Sequence, residues 1–114
     1  MRKIVTLVCM MLIGASCYAD EDSEKYKSID SICKSISKSS AMVMQARQAN
    51  VPMSEQMDIL GDGSFGESFT STMRKIIIAA YDSPRFSTAS YQAQAVNDFE
   101  NENMLNCLKQ YSRY

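Results

Sequence analysis

Apolar residues recur every three or four positions along most of the chain, the spacing that places them on one face of an α-helix. The first such segment is predicted to form a helix of about 25 residues from Tyr26. Its apolar positions are Ile29, Ile32, Cys33, Ile36, Ala41, Val43, Ala46 and Ala49. Asn50 tolerates the left-handed backbone of a helix end, and Pro52 follows it, so we expect the helix to stop there.

Two start signals predict further helices after this stop. Ser54 is expected to cap a short helix over residues 55–60. After a glycine-rich loop, Ser64 and Glu67 have the spacing of a capping box, in which each side chain bonds the other's backbone amide. The third helix is expected to end at the Asp82-Ser83-Pro84 segment. Its apolar stripe consists of Phe65, Phe69, Met73, Ile76, Ile77 and Ala80.

The last helix is predicted over residues 89–110, opened by Ser87 or Thr88. Its stripe consists of Ala95, Val96, Phe99, Asn103, Cys107 and Tyr111. No alternating pattern of strand length follows the first 19 residues. The sequence therefore predicts an all-α protein, a small bundle of three to four helices formed by one domain over residues 20–114.

The first 19 residues have the organisation of a secretory signal peptide. Arg2 and Lys3 precede a short apolar run over residues 4–13, and Ala19 suits the position before a cut. An uncleaved anchor is the alternative, but the run is shorter than the roughly 20 residues that span a bilayer. Lipidation at Cys17 is a second alternative, although Gly14 stands where a lipobox has leucine or a similar residue. We expect a periplasmic or secreted protein without a membrane span after cleavage.

Cysteine usage agrees with export. Of the 4 cysteines, Cys9 and Cys17 lie in the predicted leader, whereas Cys33 and Cys107 remain after it. An even pair in an oxidising compartment predicts one disulfide, which would join the first helix to the last. Free thiols, or a metal site built from two cysteines, are the alternatives.

Composition argues against several function classes. The 12 Lys and Arg residues are balanced by 13 Asp and Glu, so no strong field attracts a nucleic-acid backbone. Histidine, the commonest general base and metal ligand, is absent. The glycines of residues 61–66 have dinucleotide-binding spacing but follow a predicted helix instead of a strand. Asp58, Asp62 and Glu67 do not fit an EF-hand loop. We predict no catalytic residues, metal or cofactor.

A surface for a partner protein is predicted around the two turns of the chain. Methionine makes adaptable binding surfaces. Met42 and Met44, near the end of the first helix, cannot both face the core that Ile36 and Val43 face. The alternative is simple packing of these residues against the short second helix. The predicted partner-binding residues are Met42, Arg47, Gln48, Pro52, Met53, Arg85 and Phe86.

Two turn motifs carry a resemblance to a known group of proteins. They are the Arg47-Gln48 turn after the first helix and the Ala80-Tyr81-x-x-Pro84 turn before the last, together with a terminal Cys107. The chain resembles small secreted proteins of unknown function from bacteria and their phages, in which glycine usually holds the place of Asn50. The resemblance implies a shared fold and compartment but no activity.

The predicted function is the binding of another protein, of the inhibitor or immunity type. Inhibitors of cell-wall hydrolases and immunity proteins against periplasmic toxins have this size and class, which is a fold-level analogy only. The alternative is a periplasmic stress chaperone that opens at low pH and exposes apolar surface.

Overall fold

The computed structural model describes the backbone of residues 2–112 and the side chains of residues 23–112. Within that part of the chain all regular structure is helical, with four helices and no strand. The helices are α1 (Arg2–Gln48), α2 (Met53–Leu60), α3 (Glu67–Asp82) and α4 (Ala89–Ser112). The predicted all-α class is confirmed. The leader predicted over residues 1–19 lies outside the residues whose side chains are described.

The chain divides into two compact units, Met1–Ile32 and Cys33–Tyr114. In the first unit, the described side chains from residue 23 onward are exposed, except for the half-buried Ile29. The first buried residue of α1 among the described side chains is Cys33. The apolar face predicted from Tyr26 is wrong at Ile32, which is exposed. Ile32 lies about 100° around the helix from Cys33. Among the residues that the structure describes, no helix is long and apolar enough to cross a membrane.

The core of the second unit is built on the predicted stripe of α3. Met73, Ile76, Ile77 and Ala80 are all buried, as their spacing predicts. They pack with residues from the other three helices, which are Val43, Met44, Leu60 and Phe99. Phe65 is the exception in the predicted stripe, because it lies before the first residue of α3 and is 69% exposed.

Helix ends follow some of the predicted signals and not others. Asn50 has a φ of 66°, the left-handed conformation expected of it, and α3 ends at Asp82 as predicted. The predicted Ser54 cap is wrong, because Pro52 precedes the first residue of α2 and its fixed φ of −61° already suits a helix start. The predicted Ser64 capping box is also wrong: Gly66 occupies the N-cap of α3, without a side-chain cap.

A disulfide and a buried hydrogen bond hold α1 against α4. Cys33 and Cys107 are bonded, with their Cα atoms 5.5 Å apart across 74 positions of sequence. One turn further along α1, Ser37 Oγ donates to the Glu100 carbonyl oxygen at 3.1 Å. Because residue numbers rise along α1 while they fall along α4, the two helices are antiparallel. The predicted disulfide between the first and last helices is confirmed.

We expect the double variant Cys33→Ser/Cys107→Ser to have a free energy of unfolding about 4 kcal/mol below that of the oxidised protein. The unfolded chain regains the loop entropy that the bond removes. Urea denaturation of the two proteins, with the reduced wild type as control, measures the difference. A double variant as stable as the oxidised protein would show that the bond contributes nothing.

Candidate functional site

Gln48, the last residue of α1, forms the corner between α1 and the turn that joins α3 to α4. Its side chain is only 3% exposed. The amide Nε2 donates to the Pro84 carbonyl oxygen at 3.0 Å, and Oε1 accepts the Phe86 N–H at 2.8 Å. The Gln48 carbonyl oxygen accepts from Arg85 Nε at 3.0 Å. A single glutamine therefore satisfies the polar groups of a turn 36 to 38 positions away in sequence.

Arg47 and Tyr81 complete the same corner. The Arg47 guanidinium lies 5.4 Å from the centre of the Tyr81 ring and donates to the Ser83 carbonyl oxygen at 3.3 Å. The Tyr81 hydroxyl donates to the Val51 carbonyl oxygen at 2.6 Å. Burial raises the pKa of the Tyr81 phenol above its ordinary value of 10.0; the nearby Arg47 opposes the rise and Glu55 adds to it. These contacts hold the two turn motifs of the sequence together.

The predicted partner-binding residues are therefore divided between two places. Arg47, Gln48 and Arg85 make the internal hydrogen bonds of the corner. Phe86 is 37% exposed, and its ring lies 6.0 Å from that of Tyr91. None of these four lines the apolar groove to which Met42 belongs.

An apolar groove of about 300 Å³ lies between α1, α2 and α3. Its floor consists of core residues, Val43, Leu60, Met73 and Ile77. Its rim consists of Met42, Ile59 and Phe65, which are 69%, 70% and 69% exposed. Phe69 and two polar residues, Ser39 and Gln56, complete the lining, so no charged side chain faces the groove. These residues together are called the groove.

The loop before α3 determines where Phe65 lies. Gly61 (φ 74°, ψ −150°) and Gly66 (φ 103°, ψ 144°) flank it in conformations that are essentially restricted to glycine. The helix therefore begins after Phe65 and not before it. The Phe65 ring remains 6.1 Å from the Phe69 ring, in a tilted arrangement, and forms one edge of the groove.

Of the three rim residues, Met42 was predicted from the sequence, whereas Ile59 and Phe65 were not. Pro52 is exposed in the turn before α2, and Met53 packs against the core, so neither belongs to the groove. Ile59 carries one signal that was available: it adjoins Leu60 in a helix of only eight residues. Adjacent helical residues point about 100° apart, and in this short helix Leu60 is buried while Ile59 is 70% exposed.

The acidic loop between α2 and α3 borders a polar hollow, unlike the apolar groove. A polar hollow is lined by Asp62, Gly63, Glu67, Thr70, Ser71 and Arg74. Asp62 Oδ1 accepts the Ser64 N–H at 3.1 Å, which is a local turn contact. Among the side chains that the structure describes, no group of three cysteines or carboxylates is arranged to hold a metal ion. The groove is therefore the site whose composition points to a ligand.

No family model, curated protein or solved structure matches this chain. The resemblance to small secreted bacterial and phage proteins accordingly stays a prediction. The chemistry of the groove is the basis on which a function can be proposed.

We expect Gln48→Ala to lower the free energy of unfolding by about 1–3 kcal/mol, because the partly buried bonds to the Pro84 carbonyl and the Phe86 amide are lost. Thermal and urea denaturation measure the effect. Gln45→Ala, an exposed glutamine one turn earlier on α1, is the control and should change stability by less than about 0.5 kcal/mol. Equal effects of the two substitutions would contradict the role of Gln48 in the corner.

Tyr81→Phe should lower the free energy of unfolding by about 1 kcal/mol near neutral pH, because the bond to Val51 is lost. The unfolded chain loses the Tyr81 proton at a lower pH than the folded chain, so this residue's contribution to stability falls as the pH rises above 10.0. The difference between wild type and variant should therefore shrink between pH 8 and about pH 11 in urea titrations. A difference that stays constant would contradict the raised pKa.

Proposed function

We propose that this protein is a non-enzymatic, exported binding protein that holds a partner protein through the groove, in the manner of an inhibitor or an immunity protein. The observation that carries the proposal is the exposure of Met42, Ile59 and Phe65 around an uncharged lining. Clustered apolar side chains at a surface are typical of interaction sites, whereas single ones need no explanation. The partner classes are those expected from the sequence, a cell-wall hydrolase or a toxin.

The size of the groove favours an inserted segment of another protein over a second copy of this chain. Taking about 200 Å² for a large side chain, the three rim residues expose roughly 400 Å². A stable interface needs about 800 Å² on each partner. In a twofold dimer the same patch faces itself, and two concave patches leave an unfilled space between them. An apolar anchor from a partner fills the groove, while the surrounding polar surface supplies the remaining area.

The proposed location depends on the leader and the disulfide. Disulfides persist in oxidising compartments such as the bacterial periplasm and are rare in the cytosol. The bond between Cys33 and Cys107 supports export, and the predicted cut after Ala19 gives the route. The absence of histidine from the sequence, together with an uncharged groove, supports binding without catalysis.

The groove is tested with Ile59→Asp, which places a carboxylate on the rim. The partner is captured from an envelope extract of the source cells and purified. We expect its affinity for Ile59→Asp to be about tenfold or more below its affinity for the wild type. The complex with the wild type should be stoichiometric by light scattering. Ile78→Asp is the matched control, because Ile78 is also an exposed isoleucine, on α3, but is not part of the groove.

Three results would overturn the proposal. In the first, Ile59→Asp and Ile78→Asp retain the same affinity, so the partner uses another surface. In the second, the wild type dimerises and Ile59→Asp is a monomer, so the groove is an interface between copies. In the third, the wild type holds many unfolded proteins without fixed stoichiometry and suppresses their aggregation at low pH, which is the behaviour of the chaperone alternative.

A further inference from the structure

The described methionines differ widely in exposure. Met42 is 69% exposed on the groove rim, whereas Met44 is 3% and Met73 6% exposed. Met53 and Met57 are half-buried and pack against the core. Met104 on α4 is also half-buried. An oxidant in solution therefore reaches the Met42 thioether far more readily than the others.

We propose that Met42 is a modification site for peroxide-class oxidants, and that its oxidation closes the groove to an apolar partner. The Met42 Sδ lone pair attacks one peroxide oxygen, the O–O bond breaks, and an S–O bond forms. The proton on the transferred oxygen passes to the leaving hydroxide, which becomes water. Sulfur loses two electrons to give the sulfoxide, and hydrogen peroxide is reduced by the same two electrons. An apolar side chain thereby becomes a polar one.

The position of Met42 determines what this change does. In the free protein its side chain is in contact with water, so the sulfoxide oxygen is hydrated and the fold is little affected. In a complex the same oxygen lies against the apolar floor formed by Val43, Leu60, Met73 and Ile77. A polar group that loses water without gaining a partner weakens association. Oxidation thus reduces binding without unfolding the protein.

A partner segment that fills the groove also covers Met42. Partner binding and oxidation of Met42 therefore exclude each other. The free protein is open to oxidation, and the complex is protected from it. This part of the inference rests on the proposed function, whereas the selectivity for Met42 does not, since it follows from the exposure of the side chains alone.

The first experiment treats the full, disulfide-bonded protein with increasing hydrogen peroxide and maps the added oxygen by peptide mass spectrometry. We expect Met42 to be oxidised about tenfold or more faster than Met44 and Met73, and before Met53, Met57 and Met104, because oxidation follows exposure. Equal rates at Met42 and any of these would overturn the assignment.

The second experiment measures the affinity of the groove for anilinonaphthalene sulfonate, a fluorescent dye with an apolar aromatic body and a sulfonate group, and for the purified partner. Peroxide-treated wild type and Met42→Gln, which imitates the polar sulfoxide, should both bind more weakly, by about tenfold for the partner. Met42→Leu, which cannot be oxidised at this position, should have the same affinity before and after the peroxide treatment, whatever that affinity is relative to the wild type. Circular dichroism and urea titration should show all forms folded.

The outcomes separate the two proposals. Selective oxidation of Met42 with unchanged binding of both dye and partner overturns the proposal that oxidation closes the groove. It does not contradict the proposal that the groove binds a partner. Loss of affinity in treated Met42→Leu also overturns it, because another site then carries the effect. If Ile59→Asp leaves partner binding unchanged, the proposed function fails regardless of what happens at Met42.

Discussion

The antiparallel pairing of α1 with α4 is the constraint on which the second unit of the fold depends. At one end the pair is closed covalently, through Cys33 and Cys107. At the other end the Gln48 amide bonds the backbone of the turn that leads into α4. Between these two ends, α2 and α3 pack into one core with Val43 and Met44 of α1. The buried residues of α3 in this core include Ile77 and Ala80.

The groove follows from the brevity of α2. A helix of eight residues covers only part of the apolar surface that α1 and α3 share. The remaining strip is left open over buried core residues, and the loop between Gly61 and Gly66 sets Phe65 at its edge. A longer second helix would have buried this strip. The same local feature that leaves apolar side chains in water thus provides the surface to which a partner is proposed to bind.

The residues that hold the two turns together are separate from those of the groove through which binding is proposed. The polar corner uses Arg47, Gln48 and Tyr81 entirely for internal contacts, although two of these three were expected to meet a partner. Polar residues at a predicted turn carry no signal that distinguishes a buried hydrogen-bond network from an exposed binding surface. That distinction arises only when a second turn, distant in sequence, packs against the first.

The helical class, the stops at Asn50 and Asp82, the stripe of α3 and the cysteine pairing were all determined by the sequence alone. They rest on local periodicity, on backbone preferences and on there being two cysteines after the predicted leader. The caps at Ser54 and Ser64 failed, because proline and glycine geometry outweighed side-chain capping at those positions. Only the tertiary structure decided which apolar residues stay exposed. Burial is a property of pairs of elements, and Ile59 stays 70% exposed because, within residues 33–112, no helix covers its side of the short α2.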